Sequence, residues 1–132
     1  MEIIEKSAGT HSTKLILVDG GIEVGFLTYS DKNLPYNDYM EIHYLRVNPN
    51  FRRKGYGKIL MDEFFKRISS YVGDIMLYAT ANYDVTSLSN WFKKDFIPQD
   101  KLEEFYKKYG FKEVDPWKNE TFPRMRMRMT KS

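Results

Sequence analysis

One short basic turn contains the residues whose types and spacing could do chemistry. It is the run Arg52-Arg53-Lys54-Gly55-Tyr56-Gly57-Lys58, in which two glycines stand one residue apart among cationic side chains. Glycine lets a backbone turn tightly and approach a ligand with no Cβ in the way. Where a helix begins, its first amides lack intrahelical partners and its dipole favours an anion. The pattern predicts a cradle for a phosphate or pyrophosphate group. The alternative is a glycine-rich turn with ordinary surface charge.

Several other chemistries are excluded by what the sequence lacks. Neither the Walker motif Gly-x-x-x-x-Gly-Lys-Ser/Thr nor the dinucleotide fingerprint Gly-x-Gly-x-x-Gly occurs in it. The 132 residues include no cysteine, which excludes a disulfide scaffold, a thiolate nucleophile and a cysteine-ligated zinc site. The only histidines are His11 and His43, so a metal site would depend on carboxylates, and we expect none.

The elements that must position this turn follow from hydrophobic periodicity and turn signals. Strands are predicted over residues 2–6, 14–18, 22–29, 39–47, 74–80, 111–114 and 125–129. Helices are predicted over residues 57–71, from a capping box at Asp100 and Glu103 to Gly110, and around Trp91 and Phe92. This order predicts a mixed sheet with helices packed on it, in the α/β (α+β) class.

In the strand that leads into the basic turn, the alternation of apolar and polar residues shifts by one position. Its apolar residues are Met40, Ile42 and Tyr44, followed by Leu45 and Val47. An extra residue in a β-bulge produces such a shift, because it turns the following side chains to the other face. Burial of both faces explains the pattern equally well, so both interpretations stay open at this stage.

Two motifs in the chain resemble those of a known family. The run Val47-Asn48-Pro49-Asn50-Phe51-Arg52-Arg53-Lys54-Gly55-Tyr56-Gly57 resembles the acetyl-CoA signature of the GNAT superfamily of N-acetyltransferases. That signature is Arg/Gln-x-x-Gly-x-Gly/Ala after a strand that ends Val-x-Pro-x-Tyr/Phe. The run Phe105-Tyr106-Lys107-Lys108-Tyr109-Gly110-Phe111 is similar to the second hallmark, an aromatic-Tyr pair followed by Gly-Phe. The resemblance covers about residues 39–129.

The resemblance implies a GNAT-like fold in one domain, residues 1–132. Such a fold has a central, mostly antiparallel sheet of six or seven strands with helices on its faces. Members usually place one or two helices between the first two strands, where they wall the acceptor site. Residues 7–13 are too few for those helices, so we expect the N-terminal helices to be reduced or missing. The loop over residues 81–99 is longer than usual, and it or a second subunit would supply the missing wall.

The resemblance also implies acetyl-CoA as co-substrate. The turn would bind the CoA pyrophosphate, while backbone N–H groups on the central strand would hold the pantetheine arm and the oxyanion of the reaction. The implied cofactor-binding residues are Leu45, Val47, Arg52, Arg53, Lys54, Gly55, Tyr56, Gly57 and Lys58.

Two residues are expected to be catalytic. Tyr106 lies where the family often has a tyrosine that protonates the departing CoA thiolate, and a phenol of pKa near 10 can donate to a thiolate. The alternative for Tyr106 is a core aromatic on an apolar helix face. Glu41 is our first choice for the base that takes a proton from the acceptor amine. His43, on the same strand, could also accept that proton, directly or through water, but the interpretation we favour for it is a satisfied residue half-buried in the sheet.

The expected function is therefore N-acetylation of a primary amine, on a small molecule or a protein. The alternatives are a non-catalytic acyl-CoA-binding regulatory module and a nucleic-acid binder that uses the basic turn and Arg124, Arg126 and Arg128. A net charge of +3 is weak for a nucleic-acid module. No apolar stretch is long enough to cross a bilayer, and residues 1–10 lack a secretory signal, so we expect a cytoplasmic protein without a membrane partner. A homodimer through Trp91 and Phe92 is compatible with the sequence.

Overall fold

The structure is a computed structural model, and it describes residues 1–31, 39–51, 54–78, 99–114 and 124–129. Within them the strands are β1 (Glu2–Gly9), β2 (Ser12–Asp19), β3 (Ile22–Ser30), β4 (Met40–Val47), β5 (Gly73–Tyr78), β6 (Lys112–Glu113) and β7 (Arg124–Met129). The helices are a 3₁₀ turn (Pro49–Phe51), α1 (Tyr56–Arg67) and α2 (Gln99–Lys107). The seven strands form one sheet in the order β1-β2-β3-β4-β5-β7-β6. This confirms the predicted mixed α/β class and the number of strands.

The order of the predicted elements is correct, and two helix boundaries are wrong. α1 ends at Arg67 rather than at residue 71. Gly73 does not end the helix but begins β5. α2 already includes Gln99, so Asp100 lies inside the helix and is not its N-cap. The predicted helix at Trp91 and Phe92 lies outside the described residues.

The four strands β1 to β4 pair antiparallel in chain order. β1 passes to β2 through a turn of two residues, Thr10 and His11, so no helix separates these strands, as expected. The turn after β2 is the predicted hairpin, with Asp19 opposite Ile22 and positive φ angles at the two glycines between them. β1 to β4 therefore form a continuous meander.

The structure shows a β-bulge in β4, which explains why its apolar residues change from even to odd positions. Burial of both faces was the other interpretation. Thr28 of β3 lies opposite Tyr44, whereas Tyr29 lies opposite Ile42, so His43 is an extra residue in β4. The side chains of His43 and Tyr44 are consequently both exposed, although strand alternation would send them to opposite faces. The bulge exists, and it lies at His43.

The chain divides into two compact units, residues 1–75 with 128–132 and residues 76–127. In the first unit α1 packs across β2, β3 and β4. Leu60, Met61 and Phe64 follow helical spacing and are fully buried, and each contributes roughly 1.5–3 kcal/mol through burial. The Phe64 ring meets the Tyr29 ring edge-on, with centroids 5.0 Å apart. These contacts hold α1 against the three strands.

In the second unit a Schellman motif ends α2. Phe111 N–H donates to the Tyr106 carbonyl at 3.3 Å, and Gly110 N–H donates to the Lys107 carbonyl at 3.0 Å. Gly110 has a φ of 96°, as the sequence predicted for the residue after the helix. The apolar contact that accompanies this motif is present, with the Tyr106 and Phe111 rings 6.0 Å apart. The chain direction after α2 is therefore fixed by local interactions.

Candidate active site

The N-terminus of α1 lies directly after β4 and is built to accept an anion. Its N-cap is Gly55, with a left-handed φ of 79°, and no side chain of the described residues caps the helix. No acidic residue occupies the first turn. No atom of the described residues lies within 4 Å of the position that a Cβ on Gly55 would take. The first amides of α1 therefore have no side-chain cap among the described residues, and this arrangement fits a phosphate or pyrophosphate group.

Local hydrogen bonds direct the chain from β4 into this turn. The side-chain oxygen of Asn48 accepts a hydrogen bond from the Asn50 N–H at 3.1 Å, which is an Asx turn. The Phe51 N–H donates to the Asn48 carbonyl at 2.8 Å, and the Asn48 N–H donates to the Val24 carbonyl of β3 at 2.8 Å. Asn48 thus joins the end of the strand to the 3₁₀ turn that precedes Gly55.

The basic side chains of the turn are occupied locally where the structure describes them. Lys54 lies over the Phe51 ring, with Nζ 5.6 Å from its centroid. Lys58 forms an exposed ion pair with Asp62, one helical turn further on, at 2.8 Å. Exposed pairs of this kind are weak, so both lysines can reorient toward a bound anion. Arg52 and Arg53 lie outside the described residues.

The side chain of Tyr56, a residue expected to bind the cofactor, contacts the β2–β3 hairpin. The ring is buried, and the hydroxyl donates a hydrogen bond to Asp19 Oδ2 at 2.5 Å. This bond to a carboxylate, together with burial, raises the pKa of Tyr56 above its ordinary value. The sequence did not predict the role of Asp19. Only its place in the hairpin turn was recognised, because the contact joins residues far apart in the chain.

β3 and β4 lie close together at Gly25. A Cβ on Gly25 would lie 2.7 Å from the Arg46 carbonyl oxygen, which is closer than such atoms can come. Gly25 lies opposite Val47, and Leu45 lies opposite Leu27. The side chains of Leu45 and Val47 are half-buried. A glycine at this position therefore sets how close the end of β4 lies to β3.

Glu41 and His43 form a pair on β4. Nδ1 of His43 lies 3.1 Å from Oε2 of Glu41, and the two side chains are 35% and 23% exposed, respectively. The bulge makes His43 the residue without a partner on β3, so its ring stands outside the regular ladder. The sequence placed both residues on one strand but did not predict this pairing. The pair combines a carboxylate with an imidazole, which is a common arrangement for proton transfer.

Tyr106 is buried in the second unit, with 6% of its surface exposed. Its ring lies edge-on to Phe105, with centroids 5.4 Å apart, and burial raises the pKa of its phenol. Among the described residues no side chain or backbone group forms a hydrogen bond with its hydroxyl. The phenol therefore keeps its proton at neutral pH.

Two further features bear on the alternatives from the sequence. In β7 Met125 is fully buried, while Arg126 and Arg128 are exposed, and Arg128 lies 3.4 Å from Asp74. The alternation of arginine and methionine is thus that of a strand with one wet face. In the part of the chain that the structure describes, no helix could span a membrane, and no three acidic or histidine side chains cluster as metal ligands.

The comparison with protein families now bears on this geometry. The model of the acetyltransferase (GNAT) domain matches residues 11–113, which is most of the chain. The protein belongs to the GNAT acetyltransferase family. No curated protein matches the chain in sequence.

Solved structures show the same fold. A protein from Pyrococcus horikoshii OT3 is 21% identical with a TM-score of 0.65, and the match covers 89% of this chain and 65% of that one. The PaiA N-acetyltransferase of Thermoplasma acidophilum, in complex with coenzyme A, is 19% identical with a TM-score of 0.61, over 90% and 62% of the chains. The chain spans less than two thirds of the length of both. The anti-CRISPR protein AcrVA5 is 24% identical with a TM-score of 0.58, over 89% and 99% of the chains.

Proposed function

We propose that this protein transfers an acetyl group from acetyl-CoA to a primary amine. The observation that carries the proposal is the N-terminus of α1, which follows Gly55 with no side-chain cap among the described residues, in a chain of the GNAT family. CoA carries a pyrophosphate, and a helix N-terminus without acidic side chains is where such a group binds best. Lys54 and Lys58 add positive charge beside it.

Acetyl transfer needs stabilisation of the oxyanion that forms when the amine attacks the thioester carbonyl. In the proposed reaction, backbone N–H groups of Leu45 and Val47 donate hydrogen bonds to that oxygen. The close approach of β3 at Gly25 supports this role, because it holds the end of β4 in one position. The C–N bond forms, the C–S bond breaks, and the sulfur leaves as a thiolate.

Two protons must move in this reaction. The acceptor amine loses one, and we assign its removal to the pair of Glu41 and His43. Glu41 beside Nδ1 favours the tautomer in which Nε2 of His43 carries the lone pair that accepts the proton. The thiolate gains one, and we assign its donation to Tyr106, a phenol that is protonated at neutral pH. Burial raises the pKa of this phenol and makes it a weaker acid, so the donation depends on direct contact between the hydroxyl and the sulfur.

The test begins with the co-substrate. Acetyl-CoA is titrated calorimetrically at moderate salt into the wild type, Gly55→Asp and Gly21→Asp. Both glycines have a φ of 79°, so the two variants carry the same backbone strain, but Gly21 lies in the β2–β3 hairpin turn. We expect binding by the wild type and Gly21→Asp, and loss of at least tenfold in affinity in Gly55→Asp.

Turnover is then measured as release of CoA thiol against a panel of amines and peptides. Because the chain has no cysteine, a thiol-reactive chromogenic reagent reports the released CoA with no background from the protein. Binding with no thiol release for any acceptor would favour a regulatory acyl-CoA-binding module. Failure of the wild type to bind acetyl-CoA would overturn the proposed function.

A further inference from the structure

The outer edge of β1 has the features of an interface between two copies of the chain. β1 is the first strand in the sheet order, so one of its edges carries no strand among the described residues. Seven of its eight side chains are exposed, and Ile4 is 37% exposed. An edge of this length offers unpaired N–H and C=O groups to any strand that approaches it.

The charges of β1 are only partly satisfied within the described residues. Glu5 is paired with Arg67, 2.8 Å away. Glu2 and Lys6, on the opposite face from Glu5, form no ion pair with another described residue. Lys6 lies directly opposite Lys14 of β2, and like charges facing each other across strands are unfavourable. An acidic side chain on the free side of Lys6 would relieve that repulsion.

A two-fold axis restricts how β1 can pair with its own copy. A two-fold axis perpendicular to the sheet keeps each side chain on its own face, so it can pair only residues whose side chains lie on the same face. One residue of β1 must therefore lie directly opposite its own copy, and that residue defines the register. Centring on Glu5 or on Lys6 places two like charges together at the axis. Centring on Ile4 places the two Ile4 side chains together. It also sets Glu2 of each subunit opposite Lys6 of the partner subunit, which gives two pairs of opposite charge. Among these registers only the Ile4-centred one pairs opposite charges.

The register shift in β1 also favours pairing through residues 2–6. The register of β1 with β2 shifts between Ser7 and Gly9, so the regular part of the strand ends at Ser7. The Ile4-centred register uses residues 2–6 and stays within the regular part. The Glu5-centred register would place Glu2 opposite Ala8, inside the bulge. We propose that β1 pairs antiparallel with β1 of a second copy about an axis at Ile4, which joins two sheets into one.

The experiment exchanges the charges. The oligomeric state of the full chain is measured by sedimentation velocity across a concentration series at low salt, for the wild type, Glu2→Lys, Lys6→Glu, the double variant, and an equimolar mixture of the two single variants. In either single variant both cross-strand pairs become repulsive, and we expect the dissociation constant to rise about tenfold or more. In the mixture and in the double variant both pairs are attractive again, so dimers return.

Two controls separate this interface from other causes. Lys108→Glu makes the same change in net charge as Lys6→Glu on an exposed residue of the second unit, and it must leave the dimer unchanged. Circular dichroism of each single variant must match the wild type. A wild type that stays monomeric at every concentration, or a dimer that both single variants retain, would overturn the proposal. Assemblies larger than a dimer would contradict the two-fold symmetry.

Discussion

The hydroxyl group of Tyr56 donates a hydrogen bond to Oδ2 of Asp19, 2.5 Å away and 37 residues earlier in the chain. Tyr56 is the first residue of α1 and follows Gly55, while Asp19 ends β2. The bond therefore connects the hairpin turn between β2 and β3 to the residue beside the proposed anion site. A ring that is buried and held at its tip leaves the backbone on either side little freedom.

Tyr56→Phe is expected to loosen this turn without changing the reacting groups. A part-buried hydrogen bond to a carboxylate contributes about 1.5–3 kcal/mol to the free energy of unfolding, and we expect a loss near the lower end of that range. The KM for acetyl-CoA should rise several-fold while kcat changes little. Urea unfolding and steady-state kinetics measure both quantities. Asp19→Asn keeps a hydrogen-bond acceptor and should show a smaller effect, and an unchanged KM in Tyr56→Phe would contradict the positioning role.

His43→Ala is expected to lower kcat by about 10²-fold or more, since general bases contribute roughly 10²–10⁴-fold. Glu41→Gln should have a smaller effect, because the amide still contacts the ring but no longer selects the tautomer as strongly. Added imidazole should restore part of the activity of His43→Ala and none of that of Glu41→Gln. If imidazole rescued neither variant and Glu41→Gln were the more damaging, Glu41 itself would be the base.

Tyr106→Phe is expected to lower kcat by about tenfold or more while the affinity for acetyl-CoA stays within a few-fold, because only the proton donor is removed. Tyr109→Phe is the matched control. Its tyrosine lies three residues further along the chain and is half-exposed. Equal kcat values in the wild type and Tyr106→Phe would assign Tyr106 to the core alone.

Tyr106 also predicts how stability depends on alkaline pH. Burial raises its pKa in the folded state, so the unfolded state, with a phenol pKa near 10, loses the proton first. The stabilisation is complete below about pH 10 and is lost as the pH rises through the folded value. Urea unfolding at pH 8 and at pH 11 should show a smaller fall in Tyr106→Phe than in the wild type. Tyr29 and Tyr56, whose pKa values are also raised, contribute to the fall in the same direction.

Most of the fold was predictable because its signals are local. The turn after Asp19, the strand that ends at Val47 and the glycine that ends α2 each depend on residues close in the chain. The end of α1 was not predictable from the sequence, because apolar residues keep helical spacing through Tyr71 although the helix ends at Arg67. Periodicity reports which face is buried, and it does not report where the helical hydrogen bonds end.

The residues of the candidate site were predictable by type, and their contacts were not. Gly55 follows from the motif, but the bond from Tyr56 to Asp19 depends on how α1 packs on the hairpin. The phase change in β4 predicted a bulge as one of two interpretations. Only the paired strand shows that the extra residue is His43 and that its ring meets Glu41.

That extra residue makes β4 one position longer than its pairing with β3 requires. Removing His43 altogether would bring Ile42 and Tyr44 into consecutive register with Tyr29 and Thr28, and every pair on either side would be kept. A single-codon deletion, normally among the most damaging changes to an inner strand, would here leave a regular ladder. The chain thus accommodates in its backbone the residue to which we assign the proton transfer, and a variant with the strand shortened by that residue would test folding and the proposed catalysis separately.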